Sequence, residues 1–157
     1  MKVCKFEKIK DEDEMKQVIN CIQKEHPYVA VVPILAQLQE WLQAISISWF
    51  HEEDEVSHTT VNAIEAYCYA LANHLITDSH LNQEIKNRIL ECIKKIHILV
   101  EDKADLLIDK MIKAEVYGLS SDLFTYCLRQ QGLRAQTLDT GKLIPVSYTH
   151  LTLPTNR

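Results

Sequence analysis

The first 117 residues of this chain contain no glycine, and only three glycines occur in all 157 residues, at Gly118, Gly132 and Gly141. Average usage is about 7%. Glycine alone lets the main chain approach a ligand closely and adopt φ > 0 without steric cost. Proteins commonly hold phosphate groups with backbone N–H groups in such segments. A phosphate cradle in the first two-thirds of this chain would have to be built without its usual material.

The length predicts one domain with room for a substantial core. Seventeen basic residues stand against 22 acidic ones, a net charge of -5. The basic residues are scattered and the clearest run, Glu52 to Glu55, is acidic, so neither nucleic acid nor an anionic membrane is an expected partner. No apolar stretch approaches the length of a transmembrane helix, and the charged N-terminus has no leader-like core. The five cysteines (Cys4, Cys21, Cys68, Cys92 and Cys127) are widely spaced and form no CxxC pair. They read as reduced, mostly buried thiols of a cytoplasmic protein, with no zinc site or disulfide framework.

Polar–apolar alternation predicts a short strand over Lys2 to Phe6. Met15, Val18, Ile19 and Ile22 mark a helix over Asp11 to Lys24, ended by His26 and Pro27. Tyr28 to Val32 is a β-branched run between prolines and reads as a buried strand. Ile34 to Ile47 is helical in composition, followed by a loop through Trp49, Phe50, His51 and the acidic run. Val61 to Leu75 and Leu81 to Val100 repeat their apolar residues at three and four, a helical hairpin with Thr77, Asp78 and Ser79 as turn and cap. A helix from Leu107 is expected to break near Gly118, and a second, capped by Ser120 or Ser121, to run to Gln131 with Gly132 as its C-terminal glycine. Arg134 to Leu138 reads as a third strand. The order strand, helix, strand, helices, strand predicts an α/β domain with a large helical insertion at about 57–116.

Several segments resemble aspartokinases. Met1 to Phe6 is similar to that family's first strand, and Val29 to Leu42 to its second strand and following turn. Asp109 to Ile112 with Tyr117 to Phe124 resembles the helix that carries a Gly-Glu-x-Leu-Ser-Ser pattern. Gln131 to Ala135, ending at Leu138 and Asp139, resembles the next strand. The likeness implies a partial parallel sheet of the amino-acid kinase (carbamate kinase-like) type. It implies an N-terminal portion of such a domain over 1–145. It also implies transfer of the γ-phosphoryl group of MgATP to the side-chain carboxylate of L-aspartate, the first step towards lysine, threonine and methionine. By the same resemblance Lys5 is the catalytic lysine, and Gly118, Ser120 and Ser121 bind substrate. Lys5 can equally be an exposed strand-end lysine, and the two serines helix caps.

The departures from the family pattern fall on the chemistry. The family's glycine pair is replaced by Glu7 and Lys8, and its hydroxyl pair by Ile9 and Lys10. Pro33 stands for a serine, Leu35, Ala36 and Gln37 for a small glycine-rich turn, and Gln39 for a substrate-binding threonine. The glutamate after the Gly118 position is missing. A carboxylate at position 7 would oppose phosphate oxygens. Little or no kinase activity is expected, and the second reading is a non-catalytic, helical partner-binding or regulatory pseudo-subunit, a homo-oligomer being one form of it. Glu115 is a candidate to replace the lost glutamate. His51 to Glu55, and His74 with His80, are metal candidates beside ordinary solvated roles; Trp41 and Trp49 read as core or interface. Val146 to Thr155 resembles the in-frame translation of a sequencing adapter, so 146–157 is expected to be a non-native tail and the natural protein to continue beyond residue 145.

Overall fold

The computed structural model describes residues 2–138 and, as backbone, the strand at 150–155. In chain order these are β1 (Val3–Lys5), α1 (Glu12–Glu25), β2 (Val29–Val32), α2 (Ala36–Phe50), α3 (Asp54–Leu75), α4 (Ser79–Glu101), α5 (Leu107–Gln130), β3 (Arg134–Leu138) and β4 (His150–Thr155). The strands lie in the order β1-β2-β4-β3. β1 and β2 are parallel, with Val3 opposite Val29 and Lys5 opposite Val31. β4, which falls in the segment expected to be a non-native tail, runs antiparallel to both β2 and β3. Residues 146–149 and Asp139 lie outside the described residues.

The expected α/β fold, a partial parallel sheet of the amino-acid kinase type, does not form. Among the described residues the molecule is mostly helical, at 72%, and its parallel pairing is limited to β1 and β2. The physical reason is visible in the pattern. β1 has three residues and β2 four, whereas the apolar repeat between residues 54 and 130 follows the helical period. Long helices with wide apolar stripes bury them against one another. The helices are the body of the molecule rather than an insertion in a sheet.

Polar contacts fix how that body is assembled. His58 meets Glu101 and Asn62 meets His97, so α3 and α4 run antiparallel. Arg88 bonds Asp122 at 2.8 Å and Lys95 meets Glu115 at 3.3 Å, which makes α4 and α5 antiparallel as well. Ser48 of α2 and Ser57 of α3 share a buried 2.6 Å hydrogen bond across the short α2–α3 turn. Ile64, Ile85, Ile89, Ile96 and Phe124 fill the space between these helices with no exposed surface. Asp78 caps α4 through Leu81 N–H at 2.9 Å, as the sequence suggests, and Asp11 caps α1 through Glu14 N–H.

Three local expectations need correcting. α2 extends through Trp49 and Phe50, and α3 begins at Asp54, so half of the acidic run forms the first turn of a helix, where its charge suits the dipole. α5 does not break at Gly118. A mid-helix glycine costs about 1 kcal/mol, and the burial of Val116, Leu119, Leu123 and Phe124 on either side exceeds that. Ser120 and Ser121 therefore sit inside a continuous helix, both buried, and cap nothing. Gly132, at φ 86°, does close α5: its N–H reaches Arg129 O at 2.9 Å and Leu133 N–H reaches Leu128 O at 3.1 Å. Among the described residues no helix is long and apolar enough to cross a membrane.

Candidate functional site

In sheets with parallel strands, ligands favour the carboxyl ends of those strands. Here that place lies just beyond Lys5 and Val32, where the β1–α1 and β2–α2 connections meet α5. Phe6 N–H still bonds Val31 O at 3.0 Å, after which the chain leaves the sheet. Residues 7 to 14 then contain a single apolar side chain, Ile9, which has no exposed surface at all. Its carbonyl accepts the Ala36 N–H at 2.9 Å. Beyond β2, Pro33 and Ile34 lead to Leu35, 1% exposed, whose N–H donates to Ser120 Oγ at 3.4 Å.

Three segments far apart in sequence thus converge: the one after Lys5, the turn at Leu35, and Ser120 on α5. They meet in a closed arrangement. Leu35 carries no side-chain cap for α2, and at the start of that helix the Leu35 and Ala36 N–H groups are already committed, one to a serine hydroxyl and one to a carbonyl. Ile9 and Leu35 are packed into the core at the place a ligand would need.

The proposed site residues do not all gather there. The Lys5 side chain is exposed and makes no ion pair among the described residues. Gly118 faces α4 instead, where an added Cβ would lie 3.4 Å from Arg88 Nη2. Ser121 is buried within α5. Glu115 points along the α4 side as well, held by Lys95, while its carbonyl accepts from Cys92 Sγ. His74 bonds Glu12 at 2.8 Å and His80 bonds Glu84 at 2.6 Å, two separate surface pairs. The His74 contact, with Lys16 adding, holds the Glu12 carboxyl below its ordinary value. Among the described residues no group of three or more metal-binding side chains comes together. A shallow cleft of about 320 Å³ flanks the segment after β1, lined by Phe6, Lys8, Glu14, Gln17 and Val18.

Two polar clusters escaped the sequence reading. Asp122 accepts from Arg88 Nε at 2.8 Å and from Thr137 Oγ1 at 2.7 Å, tying α4, α5 and β3 together. On the opposite side of α4, His58 and His97 stack with their Nδ1 atoms 2.7 Å apart. His58 Nε2 meets Glu101 at 3.1 Å, and His97 Nε2 meets Asn62 Oδ1 at 3.0 Å. Burial, and then the neighbouring His58, lower the His97 pKa from its ordinary value. Neither cluster follows from local sequence, because each joins residues 15 to 43 positions apart. Ile9 was more accessible: one isoleucine in an otherwise charged run is a signal that the run turns inward.

No family model matches this chain, and neither the curated proteins nor the solved structures contain a match to it.

Proposed function

We propose that this chain is an aspartate kinase-like unit that has lost phosphoryl transfer and acts by binding a protein partner. The observation carrying this reading is the closure at the strand ends: Leu35 N–H on Ser120 Oγ, Ala36 N–H on Ile9 O, and Ile9 itself without exposed surface. Transfer from MgATP to the L-aspartate carboxylate depends on positioning and on donors aimed at the moving charge. Amides already bonded within the fold stabilise no developing charge until those bonds break, and breaking them uncovers a core residue. Lys5 alone offers a flexible point charge without the loop that would orient a phosphate beside it. Glu7 adds a carboxylate of the wrong sign close by.

The test is to incubate the purified chain with MgATP and L-aspartate and trap aspartyl phosphate as the hydroxamate. The expected result is no product above an enzyme-free control. Turnover in the range usual for kinases, about 1–100 s⁻¹, would overturn the reading.

A further inference from the structure

The end of the helical body away from the sheet combines exposed apolar side chains with concentrated negative charge. Trp49 Nε1 donates to Asp102 O at 3.0 Å, Lys103 meets Asp54 at 3.0 Å, and His58 meets Glu101. These contacts bring together the end of α2, the start of α3, the end of α4 and the 102–106 connection. Among the described residues, seven of the ten large apolar side chains that stand exposed belong to these segments and the first turns of α5. Leu107 and Met111 are one turn apart on α5, and the Lys95–Glu115 register places Ile98, 71% exposed, beside Met111. Phe50 stands edge-on to Trp49, with ring centroids 4.9 Å apart, and it is the Trp49 indole that bonds the 102–106 connection.

The charge at this end has one sign. Residues 46–58 and 97–113 hold eight carboxylates against three lysines, so their net charge of -5 equals that of the whole chain. Two of the lysines are already engaged, Lys103 with Asp54 and Lys113 with Asp109. Glu52, Glu53 and Glu55 are exposed and make no ion pair among the described residues. A second copy of the chain would set this charge against itself, and an anionic lipid surface or a nucleic acid would be repelled in the same way.

We infer that this end docks a cationic amphipathic helix of another protein, with apolar anchors on Ile98, Leu107, Met111 and Phe50 and basic residues against Glu52 to Glu55 and Asp105. The inference deepens the partner-binding reading by naming the surface and the chemistry of what it receives. Apolar residues at helical spacing seat in such a patch, and complementary charge at the rim sets orientation and association rate.

The probe is a synthetic helical peptide of leucine and lysine, about 18 residues long, with leucines at i, i+3, i+4 and i+7. Its control has the same composition in scrambled order. Calorimetry with the full chain is expected to show binding to the amphipathic peptide at least about tenfold tighter than to the scrambled one. Leu107→Ser/Met111→Ser should remove that preference. Glu52→Lys/Glu53→Lys/Glu55→Lys should weaken both peptides by about tenfold or more. All five positions are exposed, and circular dichroism checks that the variants stay folded. Equal binding of the two peptides, or binding indifferent to the variants, would overturn the inference. So would a dimer in sedimentation that Leu107→Ser/Met111→Ser dissolves, which would assign the face to a second copy. Adsorption to phosphatidylserine vesicles through the same residues would assign it to a membrane and equally overturn it. Aspartyl phosphate formed by a chain that still binds the peptide would overturn the catalytic silence and leave the docking surface standing; a silent chain that ignores the peptide would do the reverse.

Discussion

Replacing Ile9 by alanine separates a closed strand end from an open ligand loop. Ile9 has no exposed surface and belongs to the main core cluster. The substitution removes three carbons, about 2.4 kcal/mol of transfer free energy at roughly 0.8 kcal/mol each. The void left behind adds to this, and buried Ile→Ala changes span about 2–5 kcal/mol. Total stability for a domain of this kind is about 5–15 kcal/mol. At roughly 2–4 °C per kcal/mol for 150–250 residues, the melting temperature should fall by about 4–20 °C. Ile9→Val should cost only about 0.5–1.5 kcal/mol, and the exposed neighbour change Lys8→Ala should stay within about 0.5 kcal/mol. Thermal and urea unfolding followed by circular dichroism measure all three. If Ile9→Ala proves as harmless as Lys8→Ala, the segment after β1 is a mobile surface loop and the argument for closure fails.

Gly132→Ala meets no atom within 4 Å, so its cost is backbone strain alone at φ +86°; a loss of about 1 kcal/mol in urea unfolding is expected, and a neutral outcome would mean that α5 ends differently. The His97 imidazole, its pKa lowered by burial and then by His58, is protonated at lower pH in the folded chain than in the unfolded one, whose ordinary value is 6.5. The unfolded state therefore takes up the proton first: this contribution is complete above about pH 6.5 and is lost as pH falls from there through the lowered folded-state value. Urea midpoints between about pH 7.5 and 5 should fall more steeply for the native chain than for His97→Gln; parallel curves would count against the histidine pair. Burial pushes the Cys92 and Cys127 thiols up to about 12 and raises Cys68 too, whereas Cys4 and Cys21 are only half-buried. An aromatic disulfide reagent at about pH 8 should therefore titrate two thiols promptly and three only after unfolding. Prompt reaction of four or five would contradict the described core.

The sequence was most readable where one period ran long. The apolar residues of α3 and α4 repeat cleanly at three and four, and Asp78 between them caps as its type suggests. The β-branched run at Val29–Val32 and its parallel pairing with Val3–Lys5 were also legible. The expected sheet followed from a resemblance inferred from short segments, and the structure replaces it with a mostly helical body. Those segments are β1, β2 with the start of α2, part of α5 and β3, while the burial that organises the molecule lies between helices. α5 was split at Gly118 because glycine weighs heavily in local reasoning, and its neighbours' burial is visible only in three dimensions. At the candidate site, the resemblance named Lys5, Gly118, Ser120 and Ser121, and of these Ser120 meets the turn at Leu35. That Ile9 and Leu35 close over the same place was not legible, because it depends on bonds such as Leu35 to Ser120, 85 residues apart.

Residue-resolved amide hydrogen exchange at Leu35 and Ala36 tests the central claim most directly. With both N–H groups bonded inside the fold, to Ser120 Oγ and Ile9 O, they should exchange slowly, and saturating MgATP with L-aspartate should leave their rates unchanged. Fast exchange at both amides, or protection that appears only when nucleotide is added, would mean that the strand ends are open to phosphate and would contradict the account.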